Sequence, residues 1–105
     1  MQQNSSAQSG GPDLSEGPSR QVVVANQLGL HARPAGVLAR EAQSFEAEIF
    51  LIAGDQEVDA KSILDILTLA AGQGSPLELR AVGADAETAL NTLEALFKSK
   101  FGEKK

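Results

Sequence analysis

Apolar residues recur along this chain with two alternating periods. Gln21-Val22-Val23-Val24-Ala25 is a compact β-branched run and predicts a strand. Asn26 to Leu30 turns the chain. Ala35, Leu38, Ala39 and Ala42 then follow at helical spacing, with Arg33, Arg40, Glu41 and Gln43 between them, predicting a helix from about Ala32 to Ser44. Pro34 suits the first turn of that helix, where the N–H it lacks has no intrahelical partner. Glu48 to Ile52 reads as a second strand, Ala53-Gly54-Asp55-Gln56 as a hairpin turn, and Glu57 to Ala60 as a short third strand. Ser62 to Ala70 reads as a short helix capped by Ser62, with Asp65 completing a capping box and Gly72 stopping it. Pro76 to Val82 alternates Leu77, Leu79 and Ala81 against Glu78 and Arg80, giving a fourth strand. Asp85 is placed to cap a last helix that carries Ala89, Leu90, Leu93, Leu96, Phe97 and Phe101 on one side, with Gly102 after its end.

The order is β-α-β-β-α-β-α. The strands are short and a tight hairpin joins two of them, which favours an α+β two-layer domain: a mostly antiparallel sheet with helices on one face. Met1 to Ser19 stands apart. It is rich in Ser, Gln, Gly and Pro, with Leu14 its only large aliphatic side chain after Met1, and is expected to be a disordered polar tail. It has neither the basic start nor the apolar run of a secretory signal. Residues 20–105 are expected to form one domain.

Charge and composition narrow the function. The chain has a net charge of −5, and Asp13 and Glu16 lie in the tail, so the domain holds 12 acidic and 9 basic residues. That balance speaks against non-specific nucleic-acid binding, which needs clustered positive charge. Lys98, Lys100, Lys104 and Lys105 gather near the end, where cations complement a helix C-terminus. With no cysteine there is no disulfide framework and no thiolate metal site. No apolar run reaches the ~20 residues that span a membrane. A cytoplasmic location is expected.

His31 is the only histidine. A lone histidine is commonly a surface residue or a hydrogen-bonded core residue, but the setting of this one is specific. It lies in Leu28-Gly29-Leu30-His31-Ala32-Arg33-Pro34-Ala35, at the junction of a strand and a helix. If His31 is the N-cap, the backbone N–H groups of Ala32 and Arg33 point outward near its ring, at a helix end that favours anions. An imidazole in its neutral form there offers a nucleophilic ring nitrogen. The Arg33 guanidinium can fork onto phosphoryl oxygens. A phosphoryl group could then be accepted on one ring nitrogen and held by electrostatics. No partner His or Cys exists for a metal, and no glycine-rich nucleotide loop follows a strand, so donor and acceptor are expected to be other proteins.

Lys61-Ser62-Ile63-Leu64-Asp65-Ile66-Leu67 is the second notable stretch. Ser62 reads first as a helix cap. The helix after it is apolar nearly all round, so it either lies deep or leaves part of its surface exposed; Ile63, Leu64 and Leu67 are the candidates for an exposed docking patch.

From Arg20 to Phe101 the chain resembles HPr, the histidine phosphocarrier family of the bacterial phosphoenolpyruvate-dependent phosphotransferase system. The marks are Gly29-Leu30-His31-Ala32-Arg33-Pro34-Ala35 and, some thirty residues later, Lys61-Ser62-Ile63-Leu64. The resemblance implies an open-faced β-sandwich of four antiparallel strands with three helices on one side. It implies that His31 is phosphorylated on Nδ1, that Arg33 accompanies it, and that Ser62 matches a serine phosphorylated for regulation by an ATP-dependent HPr kinase/phosphorylase. It implies that Ile63, Leu64 and Leu67 dock on enzyme I and on IIA domains. Two features depart from the pattern: the long polar tail, and Asp65, whose carboxylate would repel a phosphate on Ser62. The ending Ala95-Leu96-Phe97-Lys98-Ser99-Lys100-Phe101 also resembles NPr, the nitrogen-related branch.

The expected function is that of a stoichiometric phosphocarrier, not an autonomous enzyme: His31 takes a phosphoryl group from phosphorylated enzyme I and passes it to a IIA-type protein, in sugar uptake or its regulation. No cofactor is expected, since the group comes from phosphoenolpyruvate through enzyme I. A monomer is expected, with no metal, nucleic acid or membrane insertion. The rival reading is a regulatory binding module of the nitrogen-related branch that acts through its apolar patch alone, although such a module needs neither His31 nor Arg33.

Overall fold

A computed structural model describes residues 17–103. Strand β1 (Ser19–Val23) leads to helix α1 (Ala32–Gln43), the hairpin β2 (Glu48–Ala53) and β3 (Gln56–Asp59), helix α2 (Ile63–Thr68), strand β4 (Pro76–Val82) and helix α3 (Ala86–Lys98), closed by a 3-10 turn (Lys100–Gly102). The four strands form one antiparallel sheet in the order β1-β4-β2-β3. This is the expected α+β open-faced sandwich.

Strand alternation makes the two layers. Val22 pairs with Leu77, and Leu51 lies between Leu79 and Val58. Val22, Ile49, Leu51, Leu77, Leu79 and Ala81 are buried, while Gln21, Glu48 and Glu57 on the opposite phase are exposed. The helices supply the other half of the core: Pro34, Ala35, Leu38, Ala39 and Ala42 from α1, Ile66 from α2, and Ala86, Ala89, Leu90, Leu93 and Phe97 from α3. Among the described residues no helix is long and apolar enough to cross a membrane.

Several expected boundaries and contacts are corrected. Strand β1 begins at Ser19, inside the expected tail, and the carbonyl of Pro18 already accepts the N–H of Ala81. Residues 1–16 of that expectation lie outside the described ones. The strand stops at Val23 because Val24 bonds to the turn before β4: its N–H donates to the Ser75 carbonyl and its carbonyl accepts from Gly74. Helix α2 ends at Thr68, since Ala70 takes a left-handed φ of 51°; the early exit presents the Ala71 carbonyl to the N–H of Leu30. Helix α3 likewise ends at Lys98, so Phe101 belongs to the following turn and stacks edge-on against Phe97, with ring centroids 4.9 Å apart.

Only half of the capping box forms at α2. The Ser62 hydroxyl accepts the N–H of Asp65 at 3.2 Å, but the Asp65 carboxylate accepts from Asp59 (3.3 Å) and the N–H of Ser62 donates to the Asp59 carbonyl. Asp85 stands at the start of α3 without capping it. Its carboxylate reaches back to accept the N–H groups of Glu46 (2.9 Å) and Ala47 (2.8 Å), tying the α1–β2 connection to α3.

Candidate functional site

The segment between β1 and α1 is held in shape by its own polar groups. Asn26 is fully buried; its carbonyl accepts the N–H of Gly29 and its side-chain amide donates to the Gly29 carbonyl at 2.7 Å. Gly29 has a φ of 73°, and a Cβ there would lie 2.5 Å from the Ala71 carbonyl oxygen. Only glycine meets both demands. The next residue, Leu30, donates its N–H to the same Ala71 carbonyl at 2.9 Å and buries its side chain. The chain therefore delivers His31 to the start of α1 in a fixed place.

His31 is the N-cap of α1, with extended backbone (φ −79°, ψ −171°), and its carbonyl accepts the first helical bond from Ala35. Its side chain makes no capping bond. The N–H groups of Ala32 and Arg33 have no acceptor among the described residues, and Pro34 has no N–H to satisfy. Both donors stand at the positive end of a twelve-residue helix. The Arg33 side chain is exposed and makes no ion pair among the described residues, so its fork is free to close on an anion.

The imidazole turns to the C-terminal end of the chain. Its Nε2 lies 3.1 Å from Oε2 of Glu103, with the histidine side chain 36% exposed and the carboxylate 16%. The second oxygen of Glu103 accepts from the Asn26 amide at 3.1 Å. A carboxylate accepts only, so a neutral imidazole facing it carries its proton on Nε2 and keeps the Nδ1 lone pair free. The His31 side chain is partly exposed, and a concavity of about 250 Å³ between β1 and α3, lined by Gln21, Val22, Val23, Phe97 and others, includes none of these groups.

Around the site lies apolar surface. Ile63 and Leu64 are 43% and 75% exposed, as expected for a docking patch. Leu67 is not: it is half-buried and packs against the core at the edge of the patch. Ile63 reaches the open side of Gly36, one turn of α1 after Arg33, so the patch borders the start of that helix. Leu28, three residues before His31, is also exposed, at 74%.

Residues 18–99 match the family model described as the PTS HPr component phosphorylation site. The chain belongs to the HPr family. The phosphocarrier protein HPr of Treponema pallidum is 44% identical over 82 residues, covering 78% of this chain and 93% of that protein. The phosphocarrier protein NPr of Shewanella violacea is 44% identical over 84 residues, covering 80% and 92%. Among solved structures, HPr-C-His from Thermoanaerobacter tengcongensis superposes with a TM-score of 0.81 at 38% identity, over 84% of this chain and 99% of that one. HPr of Bacillus anthracis does so with a TM-score of 0.75 at 40% identity, over 78% and 98%. Membership of the HPr family makes this a phosphocarrier of the phosphotransferase system.

The sequence motif contains His31, Ala32 and Arg33 and misses Glu103, which meets the imidazole, and Asn26, which holds Glu103 and the Gly29 carbonyl. A polar residue inside an otherwise apolar strand exit was the available signal for Asn26. For Glu103 no local signal exists.

Proposed function

We propose that His31 accepts a phosphoryl group on Nδ1 from phosphorylated enzyme I and passes it to a IIA-type protein. The observation that carries this reading is the contact of Nε2 with Glu103 beside two helix N–H groups that have no acceptor among the described residues. The Nδ1 lone pair forms the new bond to phosphorus while the donor's bond to phosphorus breaks and its electron pair returns to the donor. No proton has to move: Nε2 keeps its hydrogen, and the ring becomes a cation facing the Glu103 carboxylate. The N–H groups of Ala32 and Arg33 and the Arg33 fork receive the phosphoryl oxygens. Transfer onward reverses these steps with the acceptor as nucleophile. An exposed site suits a group handed directly from one protein to another. No cofactor enters, and a monomer suffices as the working unit.

Ile63 and Leu64, with Leu67 at their inner edge, are the proposed docking contacts for both partners. Ser62 is a second proposed phosphorylation site, for an HPr kinase/phosphorylase using ATP. Its hydroxyl now caps α2, and Asp65 stands one turn on, so modification there exchanges a cap for helix-end attraction opposed by a like charge. The similarity to NPr of Shewanella violacea supports a second reading, a nitrogen-related regulatory module acting through the same patch.

Incubation with phosphoenolpyruvate and enzyme I should yield an acid-labile, base-stable adduct of one phosphoryl group by mass, absent from His31→Ala. An unmodified wild type, or an undiminished adduct on the variant, sinks the carrier reading. After ATP and the kinase, an acid-stable adduct lost in Ser62→Ala is expected; its absence leaves Ser62 only the capping role.

A further inference from the structure

We propose that Asn26 is a positioning residue for His31: it holds Glu103 so that the carboxylate keeps the imidazole proton on Nε2 and leaves Nδ1 open. The inference deepens the carrier reading and rests on it for the use of Nδ1. The tautomer itself can be measured without any phosphoryl transfer.

Asn26 is fully buried, and its Nδ2 faces two acceptors, the Gly29 carbonyl at 2.7 Å and Oε1 of Glu103 at 3.1 Å. A flipped amide would put oxygen against oxygen twice, so the two acceptors fix which atom is nitrogen. The amide is then a rigid fork. One hydrogen shapes the turn that presents His31, and the other pins one oxygen of the carboxylate whose second oxygen meets Nε2 at 3.1 Å. A carboxylate held at both oxygens loses the freedom to swing away from the ring.

The far end of the clamp is built to reach it. Phe101 is buried against Phe97 although its φ is 56°, and Lys100 before it has a φ of 58°. Non-glycine residues adopt this left-handed conformation in succession only when their surroundings hold them there. The N–H groups of Gly102 and Glu103 donate to the carbonyls of Ser99 and Lys100, completing the turn. The result is a C-terminal segment bent back so that one acidic side chain lands between a buried amide and the imidazole. Helix packing alone does not need that carboxylate: its only side-chain partners among the described residues are Asn26 and His31.

The test is a mutant cycle read by nitrogen-15 NMR of the His31 ring in the unphosphorylated full chain, with the initial rate of phosphorylation by enzyme I measured beside it. Glu103→Ala should lower the ratio of Nε2–H to Nδ1–H tautomer about fivefold, the factor one net hydrogen bond is worth. Asn26→Ala should lower it by a similar factor, and the double variant no further. The phosphorylation rate should fall with the fraction of the Nε2–H tautomer, a smaller change than that in the ratio. A normal ratio in Asn26→Ala, or a loss that adds in full to that of Glu103→Ala, overturns the positioning role and leaves Asn26 a turn residue. If Asn26→Ala does not fold, the side-chain amide of Asn26 in Glu103→Ala decides: it should shift and exchange faster with water, and an unmoved signal overturns the proposal. Failure of the carrier reading is separate, since it appears as no adduct on a wild type whose tautomer ratio is nonetheless set by the clamp.

Discussion

Helices α1 and α2 begin with the same device put to opposite uses. Each N-cap residue has extended backbone: φ −79° and ψ −171° at His31, φ −114° and ψ 116° at Ser62. The Ser62 hydroxyl accepts the N–H of Asp65 and closes its own helix end. His31 closes nothing; its ring faces Glu103, and the N–H groups of Ala32 and Arg33 stay without an acceptor among the described residues. A cap stabilises by satisfying orphan donors. An uncapped end forgoes that contribution and retains a place for an anion. Helix α1 tolerates the loss because Pro34 removes one donor and because its face buries Pro34, Ala35, Leu38, Ala39 and Ala42, whereas the six-residue α2 fully buries only Ile66.

The largest effect on this contrast should come from the turn that presents the open end. Gly29→Ala adds a Cβ 2.5 Å from the Ala71 carbonyl oxygen and 2.8 Å from the Gly72 Cα, at a φ of 73°. We expect a loss of about 1–3 kcal/mol from the backbone conformation alone, and more from the collision. Urea denaturation measures it. A stability within about 0.5 kcal/mol of wild type would mean that the approach to Ala71 can relax, and that the turn does not fix His31. Arg33→Ala probes the open end directly. Stability should hold, since the side chain is exposed and unpaired among the described residues, while the rate of phosphoryl transfer falls by about tenfold or more. An unchanged rate would remove Arg33 from the site.

The two helix ends can also be compared by truncating both caps. Ser62→Ala should cost about 1 kcal/mol, the ordinary loss for a serine cap. His31→Ala should cost less, because no capping bond is lost, although it removes the adduct altogether. Chemical denaturation of the pair decides it: equal losses would mean that His31 stabilises the start of α1 after all.

What could be read from the sequence follows the range of the interactions. His31, Ala32 and Arg33 share one helical turn, and Ser62 meets Asp65 three residues on, so periodicity and cap preferences reveal them. The α+β order was legible for the same reason: strand and helix periods are local. Glu103 meets His31 across 72 residues and Asn26 across 77, and nothing near Glu103 marks it as different from any acidic residue at a chain's end. Leu67 shows the same limit. Its neighbours Ile63 and Leu64 are as apolar, and only the packing of α2 on the core decides which side chain turns in. Boundaries slipped where a long-range partner captured the backbone, as the Ser75 turn captures Val24.

Asp85 extends the comparison to a third helix end and gives the smallest effect. It occupies the N-cap position of α3 but caps through no side-chain bond, and gives its carboxylate to the N–H groups of Glu46 and Ala47 instead. Those two backbone donors hold its pKa below the ordinary aspartate value, outweighing the opposing effect of desolvation. The unfolded chain therefore binds the proton more readily than the folded one, and stability rises with pH through this window. The contribution is complete above about pH 4, the ordinary aspartate range, and is lost as pH falls through the lowered folded value. Asp85→Asn keeps one acceptor oxygen and removes the charge, so the stability difference between wild type and variant should be constant near neutrality and shrink in acid. Urea midpoints from pH 7 down to about pH 2.5 measure it. A difference that stays the same across that range would mean that the carboxylate's charge does not matter to the tie, and that Asp85 serves α3 only by its place in the chain.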